Sequence, residues 1–382
     1  MNNSKLKRFL AICSIIAGAA FIGSKVVSKR KNKALSDNGL DENNRADSAP
    51  GAGRHYTDNK SKEELIGNIG FGEPAVVDAE TPRRVVITGA GSYIGDSFKS
   101  YAEAHYPALH IDVVDMLDPD WRDVDFSEYD IVYHVAGIAH ADVGNVSDET
   151  KEKYYAINTD LAVEVCEKAK NDGASAFVFM SSMIIYGDSA PYGTSRIVDE
   201  FTVPSPANFY GDSKLQADVA VRELADSDFS VIVIRPPMIY GQGSKGNYPK
   251  LAKLAKVIPV FPAADNRRSM LYIDNLCEFL CQVMLTKKVK RNSIVLVPQN
   301  NEWTETSQMV KEIAGINGNK VRMLRILKPF VFIGSKIPGK IGGLVNKVFG
   351  NSCYSHSLSI YPGIDYQICS LSDSIKKTEE AL

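Results

Sequence analysis

Three polar side chains stand out for the chemistry their types and spacing permit. Tyr210-Gly-Asp-Ser-Lys214 puts a phenol and an ammonium four residues apart, hence on one face of a helix. A free tyrosine, with a pKa near 10, is a poor base at neutral pH, and a nearby cation stabilises its phenolate enough to make it a usable one. Spacing alone is no signal, because Tyr56 and Lys60 repeat it. What separates Tyr210 is its setting between a strand ending at Ser181-Ser182 and a second strand at 231–234. Ser182 follows the strongly apolar run 176–180, at the end of a strand where α/β sheets present ligands. Its hydroxyl can hydrogen-bond an alcohol oxygen undergoing oxidation, aim it at Tyr210 and share the developing charge.

The elements around this set alternate in kind. A β-branched run at 84–88 leads through Gly89-Ala90-Gly91-Ser92 into a helix expected to start near Tyr93, with Ile94 and Gly95 in its first turn. A glycine turn of this sort lets backbone N–H groups and the helix N-terminus approach a pyrophosphate that side chains would block. Twenty residues past Gly95, a second strand at 109–114 ends at Asp115. A carboxylate there accepts hydrogen bonds from both ribose hydroxyls of NAD and repels the 2′-phosphate of NADP, so NAD is the expected cofactor. Strand and helix patterns then alternate to about residue 297, the mark of a parallel sheet with helices on both faces.

Composition bounds the rest. At 382 residues and 44% hydrophobic, the chain has ample material for a large core. The net charge of −2 conceals a split. Eight lysines and arginines between residues 5 and 33 stand in a stretch with no acid, and removing them from 44 leaves 36 bases against 46 acids. A basic leader on an acidic body argues against a nucleic-acid-binding protein. Within the leader, residues 9–24 form an uncharged, mostly apolar run that as a helix spans about 24 Å, slightly short of the roughly 30 Å hydrocarbon core, a gap that flanking lysines bridge by snorkelling. Five basic residues follow the run and three precede it. This bias keeps the body in the cytoplasm and favours an uncleaved anchor over a signal peptide. Residues 1–33 are thus expected to be a membrane anchor and 34–81, rich in Asn, Asp, Gly and Ser, a flexible tether. The six cysteines are scattered, with no C-x-x-C and no His at ligand spacing, so reduced thiols and no metal are expected.

The motifs Thr88-Gly-Ala-Gly-Ser-Tyr-Ile-Gly95, His134-Val-Ala-Gly137, Ser181-Ser-Met-Ile-Ile-Tyr-Gly187 and Arg235-Pro-Pro-Met-Ile-Tyr-Gly241 occur in that order. Together they resemble the NAD-dependent epimerase/dehydratase family, the extended short-chain dehydrogenases, over residues 84–285. The resemblance implies a Rossmann-type doubly wound parallel sheet, mainly 82–242, with a smaller α/β substrate lobe, mainly 243–382, interleaved with it. It further implies that Tyr210 takes a hydroxyl proton as hydride leaves for NAD, and that Lys214 lowers the tyrosine pKa while contacting the nicotinamide ribose. Ala136 and Gly137 would line the adenosine side, with Asn158 in support. Asn208 and Arg268 would meet the substrate's diphosphate or sugar, Arg267 being able to exchange roles with its neighbour. One departure is that Ser92 stands where the family's G-x-x-G-x-x-G has its middle glycine.

Sugar 4,6-dehydratases of the family carry an Asp-Glu pair after the catalytic hydroxyl residue, whereas this chain has Met183-Ile184, which transfer no protons. The expected activity is therefore nucleotide-sugar 4-epimerisation in surface-glycan precursor synthesis, with NAD(P)-dependent 4-ketoreduction open on the same triad. A reading of another class is a non-catalytic dinucleotide sensor or scaffold at the membrane. The expected assembly is a homodimer at the cytoplasmic face of the membrane.

Overall fold

The computed structural model describes residues 55–139, 146–287 and 292–380. Six strands, β1 (Arg83–Thr88), β2 (Leu109–Val114), β3 (Ile131–His134), β4 (Ala176–Met180), β5 (Ser230–Ile234) and β6 (Ser293–Leu296), form one sheet in the order β6-β5-β4-β3-β1-β2. Every neighbouring pair is parallel. Parallel strands covered on both faces need no polar alternation, and Val132, Tyr133, Phe177, Val178 and Phe179 are all fully buried. Only the edge strand β2 alternates, with Leu109 and Ile111 buried and His110 and Asp112 exposed.

The period of two along each strand divides the apolar residues between two cores. Val85, Ile87, Tyr133 and Val178 join one core with helices α1 (Tyr93–His105) and α4 (Ile273–Met284). Val86, Val132, Phe177 and Phe179 join the other with α2 (Leu161–Asp172) and α3 (Phe209–Glu223). This is the expected doubly wound, Rossmann-like arrangement. The chain runs from β1 to β2 on one side and returns to β3 on the other, so a crevice opens at the carboxyl ends of β1 and β3, where such sheets bind ligands.

Two expectations need correction. The apolar run 9–24 and the start of the tether lie outside the described residues, but from residue 55 onward the tether is packed. Lys62–Ile66 is a short helix with a Ser61/Glu64 capping box, the Gly70 N–H donates to Val295 O at 2.9 Å, Asp78 N–H donates to Leu285 O at 2.8 Å, and Phe71 is buried. Its anchors divide between the two cores, Phe71 and Ala75 in one and Leu65 and Ile69 against the other, so they follow neither helical nor strand periodicity. Secondly, the strand at 293–296 and the helix at 273–284 belong to the main layers and not to the substrate lobe: β6 pairs with β5, and α4 packs on α1.

The lobe itself holds helices Asn247–Ala255, Thr306–Ile316, α5 (Lys328–Ser335), α6 (Lys340–Phe349) and Leu371–Glu380, and the parallel strand pairs Met238–Tyr240 with Met270–Tyr272 and Val260–Pro262 with Arg322–Leu324. Five cysteines are buried free thiols, including Cys277 and Cys281 on one face of α4.

Candidate active site

The glycine turn is shaped by close approach. Gly89 and Gly91 have φ of 126° and 69°, and a methyl group on Gly89 would lie 2.7 Å from the Ala136 nitrogen, so only hydrogen fits where the two loops touch. Ser92 has φ −78°, a conformation open to any residue, and its hydroxyl caps α1 by accepting from Gly95 N–H at 2.9 Å. Replacement of the family's middle glycine therefore leaves the turn intact. Gly95 is held tightly between Ser92, Ile87 and Val135.

The side chains of Tyr93 and Ile94 are half-buried against the core, the Tyr93 hydroxyl lying at Gly241 and its ring at Gly243. Their N–H groups, in the first turn of α1, donate to no partner among the described residues. A methyl at Gly91 would meet open space. These donors and that opening fit a dinucleotide's pyrophosphate. Asp115 follows β2 directly, is exposed, and accepts from Leu117 N–H at 2.9 Å; its strand neighbour Val114 accepts from Gly89 N–H, which places the carboxylate beside the turn.

The two serines after β4 face opposite ways. Ser181 is buried and donates to Asp218 Oδ2 at 2.8 Å, whereas Ser182 is half-buried and caps the 3₁₀ turn Met183–Tyr186, accepting from Ile184 N–H. That turn packs against the first turn of α3, where a methyl on Gly211 would sit 3.0 Å from Ile184 O. Ser182 and Tyr210 are thus carried on touching turns. Asn208 starts α3 by accepting from Gly211 N–H at 3.1 Å, which makes it a helix cap first and leaves its amide nitrogen for other contacts.

Lys214 is buried. Its Nζ donates to Met180 O at 3.2 Å, lies 5.1 Å from the Phe179 ring centroid, and is 3.0 Å from where a Gly137 methyl would stand. The ammonium therefore sits between the carboxyl ends of β3 and β4, at the crevice. Burial pulls its pKa down to about 8, against the opposing pull of Asp218. Tyr210, half-buried with its ring edge-on to Tyr154 at 5.9 Å, has its hydroxyl pushed up to about 12 by burial and by Tyr154. The expected lowering of the tyrosine pKa by Lys214 is not what this geometry gives, because the ammonium is turned to the Met180 carbonyl.

Several supporting residues were missed by sequence reasoning or left without a role. Asn158, in the π-helical segment Ala156–Asp160, accepts from Ile138 N–H at 2.8 Å and donates to Ile138 O and Ser213 Oγ, tying the Gly137 loop to α3. His134 bonds Thr88 Oγ1 through Nδ1 at 2.9 Å between the planes of Phe177 and Phe179; burial, then the charge of Lys214, lowers it to about 3, so it stays neutral. Below Ser182, fully buried Arg235 forks onto Asp218 at 2.8 and 2.7 Å and donates to Tyr186 Oη. A lone Asp inside the apolar run Ala217-Asp218-Val219-Ala220-Val221 was the available signal for that pair.

The two candidate arginines separate. Arg268 donates to Lys347 O at 2.7 Å and lines a mainly apolar cavity of about 140 Å³ with Met238, Leu251, Met270 and Leu344, while Arg267 is exposed and lies over the Trp303 ring.

Comparison with known proteins gives the family of the chain. The model of the NAD dependent epimerase/dehydratase family matches residues 85–297, more than half of the chain. The UDP-glucose 4-epimerase of Vibrio cholerae is 26% identical over 256 residues, covering 62% of this chain and 76% of that protein. The N-acetyl-alpha-D-glucosaminyl-diphospho-ditrans,octacis-undecaprenol 4-epimerase of Escherichia coli O157:H7 is 25% identical over 280 residues, covering 67% and 81%. Among solved structures, UDP-glucuronic acid 4-epimerase from Bacillus cereus in complex with UDP-glucuronic acid and NAD superposes with a TM-score of 0.57 at 17% identity, covering 78% of this chain and 98% of that one, which is a likeness of fold.

Proposed function

The chain belongs to the NAD dependent epimerase/dehydratase family, and on that premise we propose that it is an NAD-dependent sugar 4-epimerase acting on a sugar diphosphate in glycan precursor synthesis. The observation that carries this reading is the position of Lys214, buried between the ends of β3 and β4 on the same helix as Tyr210, whose first turn touches the turn capped by Ser182.

The sugar's 4-hydroxyl is held by Ser182 Oγ and faces Tyr210, which accepts its proton. When bound, the dinucleotide supplies a reversible acceptor for the hydrogen on C4. Lys214 would favour the tyrosine phenolate by turning its ammonium from the Met180 carbonyl toward the phenol, and the same phenol returns the proton when the 4-keto sugar is reduced on its other face. Gly89, Gly91 and the N-terminus of α1 would hold the pyrophosphate, Asp115 the adenosine ribose, and Ala136 and Gly137 the adjoining wall. Asn208 and Arg268 would hold the substrate's diphosphate. Met183 and Ile184 beside Ser182 give no group for eliminating water from the sugar.

The apolar cavity beside Arg268 favours one form of this reading, in which the diphosphate joins the sugar to a polyprenyl chain, as in the substrate named for the E. coli relative. The apolar run 9–24 supports attachment to a membrane with the catalytic body on the cytoplasmic side. The test is a panel of UDP-sugars and polyprenyl-diphosphate sugars followed by nuclear magnetic resonance of the C4 configuration. Inversion by the wild type, lost by about 10²-fold or more in Tyr210→Phe, is expected; equal turnover by both removes the assignment.

A further inference from the structure

Helices α5 and α6 form a hairpin whose outer face is unlike the rest of the surface. α5 turns Val331, Gly334 and Ser335 inward, and a methyl on Gly334 would lie 3.3 Å from Val345 of α6. Phe332, Ile333, Lys336 and Ile337 fall on the opposite stripe, and Ile341 opens the second helix. Phe332, Ile333, Ile337 and Ile341 are 48, 58, 39 and 53% exposed, with Ile326 just before them at 75%.

Charge at this place runs against the rest of the chain body. Residues 313–364 contain seven lysines and arginines and no Asp or Glu. Neither Arg325 nor Lys336, both exposed, has an ion pair among the described residues. Lysine is depleted at protein–protein interfaces, whereas isoleucine and phenylalanine interleaved with cations that face no carboxylate, Lys336 lying over the Phe332 ring at 5.6 Å, suit the boundary of an anionic lipid layer. At 8 and 10 residues, α5 and α6 are too short to span a bilayer and long enough to lie along its head-group region.

We propose that the α5–α6 hairpin docks on an anionic lipid bilayer, with Phe332, Ile333, Ile337 and Ile341 entering the acyl boundary and Arg325 and Lys336 facing lipid phosphates. Leu344, Lys347 and Val348 of α6 also wall the cavity beside Arg268, so docking holds that cavity against the lipid. This consequence rests on the polyprenyl-linked reading above, whereas the docking does not.

Hydrogen–deuterium exchange of the full chain tests the proposal, with vesicles of phosphatidylglycerol and phosphatidylcholine compared with phosphatidylcholine alone. Local protection is read, because the run 9–24 is free to carry any variant to a vesicle. Backbone amides of 326–343 are expected to slow at least about tenfold on the anionic vesicles only, and less at high salt. Lys336→Glu, a surface change, should remove most of that protection, as should Ile333→Ser with Ile341→Ser, while exchange in β1 to β6 stays as in the wild type. Unchanged exchange at 326–343 on anionic vesicles overturns the proposal. Protection that rises with protein concentration without vesicles also overturns it, by assigning the face to a second copy. Neither readout depends on turnover, so a failure of the epimerase assignment is seen separately.

Discussion

Replacing Asp218 by asparagine probes the buried ion pair on which Ser181 and Ser182 rest. The carboxylate is fully buried and accepts from Arg235 Nε and Nη2 at 2.8 and 2.7 Å, Arg222 Nε at 3.0 Å and Ser181 Oγ at 2.8 Å. Asp218→Asn keeps the shape but leaves the Arg235 guanidinium buried without its counter-charge. Breaking a buried pair by removing one partner costs about 3–5 kcal/mol, a large share of the ~5–15 kcal/mol that holds a domain folded. At roughly 2–4 °C per kcal/mol for a domain of 150–250 residues, the thermal midpoint should fall by about 6–20 °C. The pH dependence carries a second signature. Burial alone would raise the Asp218 carboxyl, but the charge and hydrogen bonds of Arg235 outweigh it and hold the folded pKa below the usual value. Its contribution is therefore present above the unfolded pKa, about 3.9, and is lost as pH falls through the lower folded value. Denaturant titrations from neutral to acid pH should show a smaller wild-type advantage at the acid end. The pair Asp218→Leu with Arg235→Met should recover most of the loss. Asp218→Asn within about 1 kcal/mol of wild type, or an advantage indifferent to pH, would refute this reasoning.

Further outcomes follow at three other positions. Lys214 is charged below about 8 and neutral above it, so turnover should fall as pH rises through that value, and Lys214→Arg, charged throughout, should move the alkaline limb upward in a pH–rate profile. Because the folded pKa is the lower one, wild-type stability should also rise with pH between about 8 and the unfolded value near 10.4, a slope absent from Lys214→Met in denaturant titrations. Gly89→Ala forces a methyl against the Ala136 nitrogen at a φ of 126°; it should cost about 2–4 kcal/mol and abolish retention of dinucleotide, read by mass spectrometry of the denatured protein. Asp115→Ser removes the carboxylate next to the turn and should narrow the preference for NAD over NADP by roughly tenfold or more, measured by calorimetric titration.

Much of this arrangement was legible because it rests on local rules. The β-branched run before Gly89, the cap at Ser92 and the apolar segments 109–114 and 176–180 each carry their own structural signal, and the i,i+4 spacing places Tyr210 and Lys214 on one face of α3 whatever surrounds them. Contacts between distant segments were not legible. Strand alternation says that Ser181 and Ser182 point oppositely, but only the position of Asp218 across the layer decides which one faces the crevice. Residues 55–81 look like a tether because Leu65, Ile69 and Phe71 find partners that folding brings to them. Ile294-Val295-Leu296 reads equally as a lobe strand or a sheet edge until Asn68 and Gly70 close over Val295. Asn208 shows the limit from the other side, since a residue that caps a helix and a residue that awaits a phosphate look alike in sequence.

The central claim is that hydrogen leaves C4 as hydride and returns to the same carbon while Tyr210 moves only the hydroxyl proton. A substrate deuterated at C4, turned over in ordinary water and examined by mass spectrometry, tests it most directly. Inverted product that keeps the deuterium at C4 is the predicted result, and product whose label has been replaced by solvent hydrogen would contradict it.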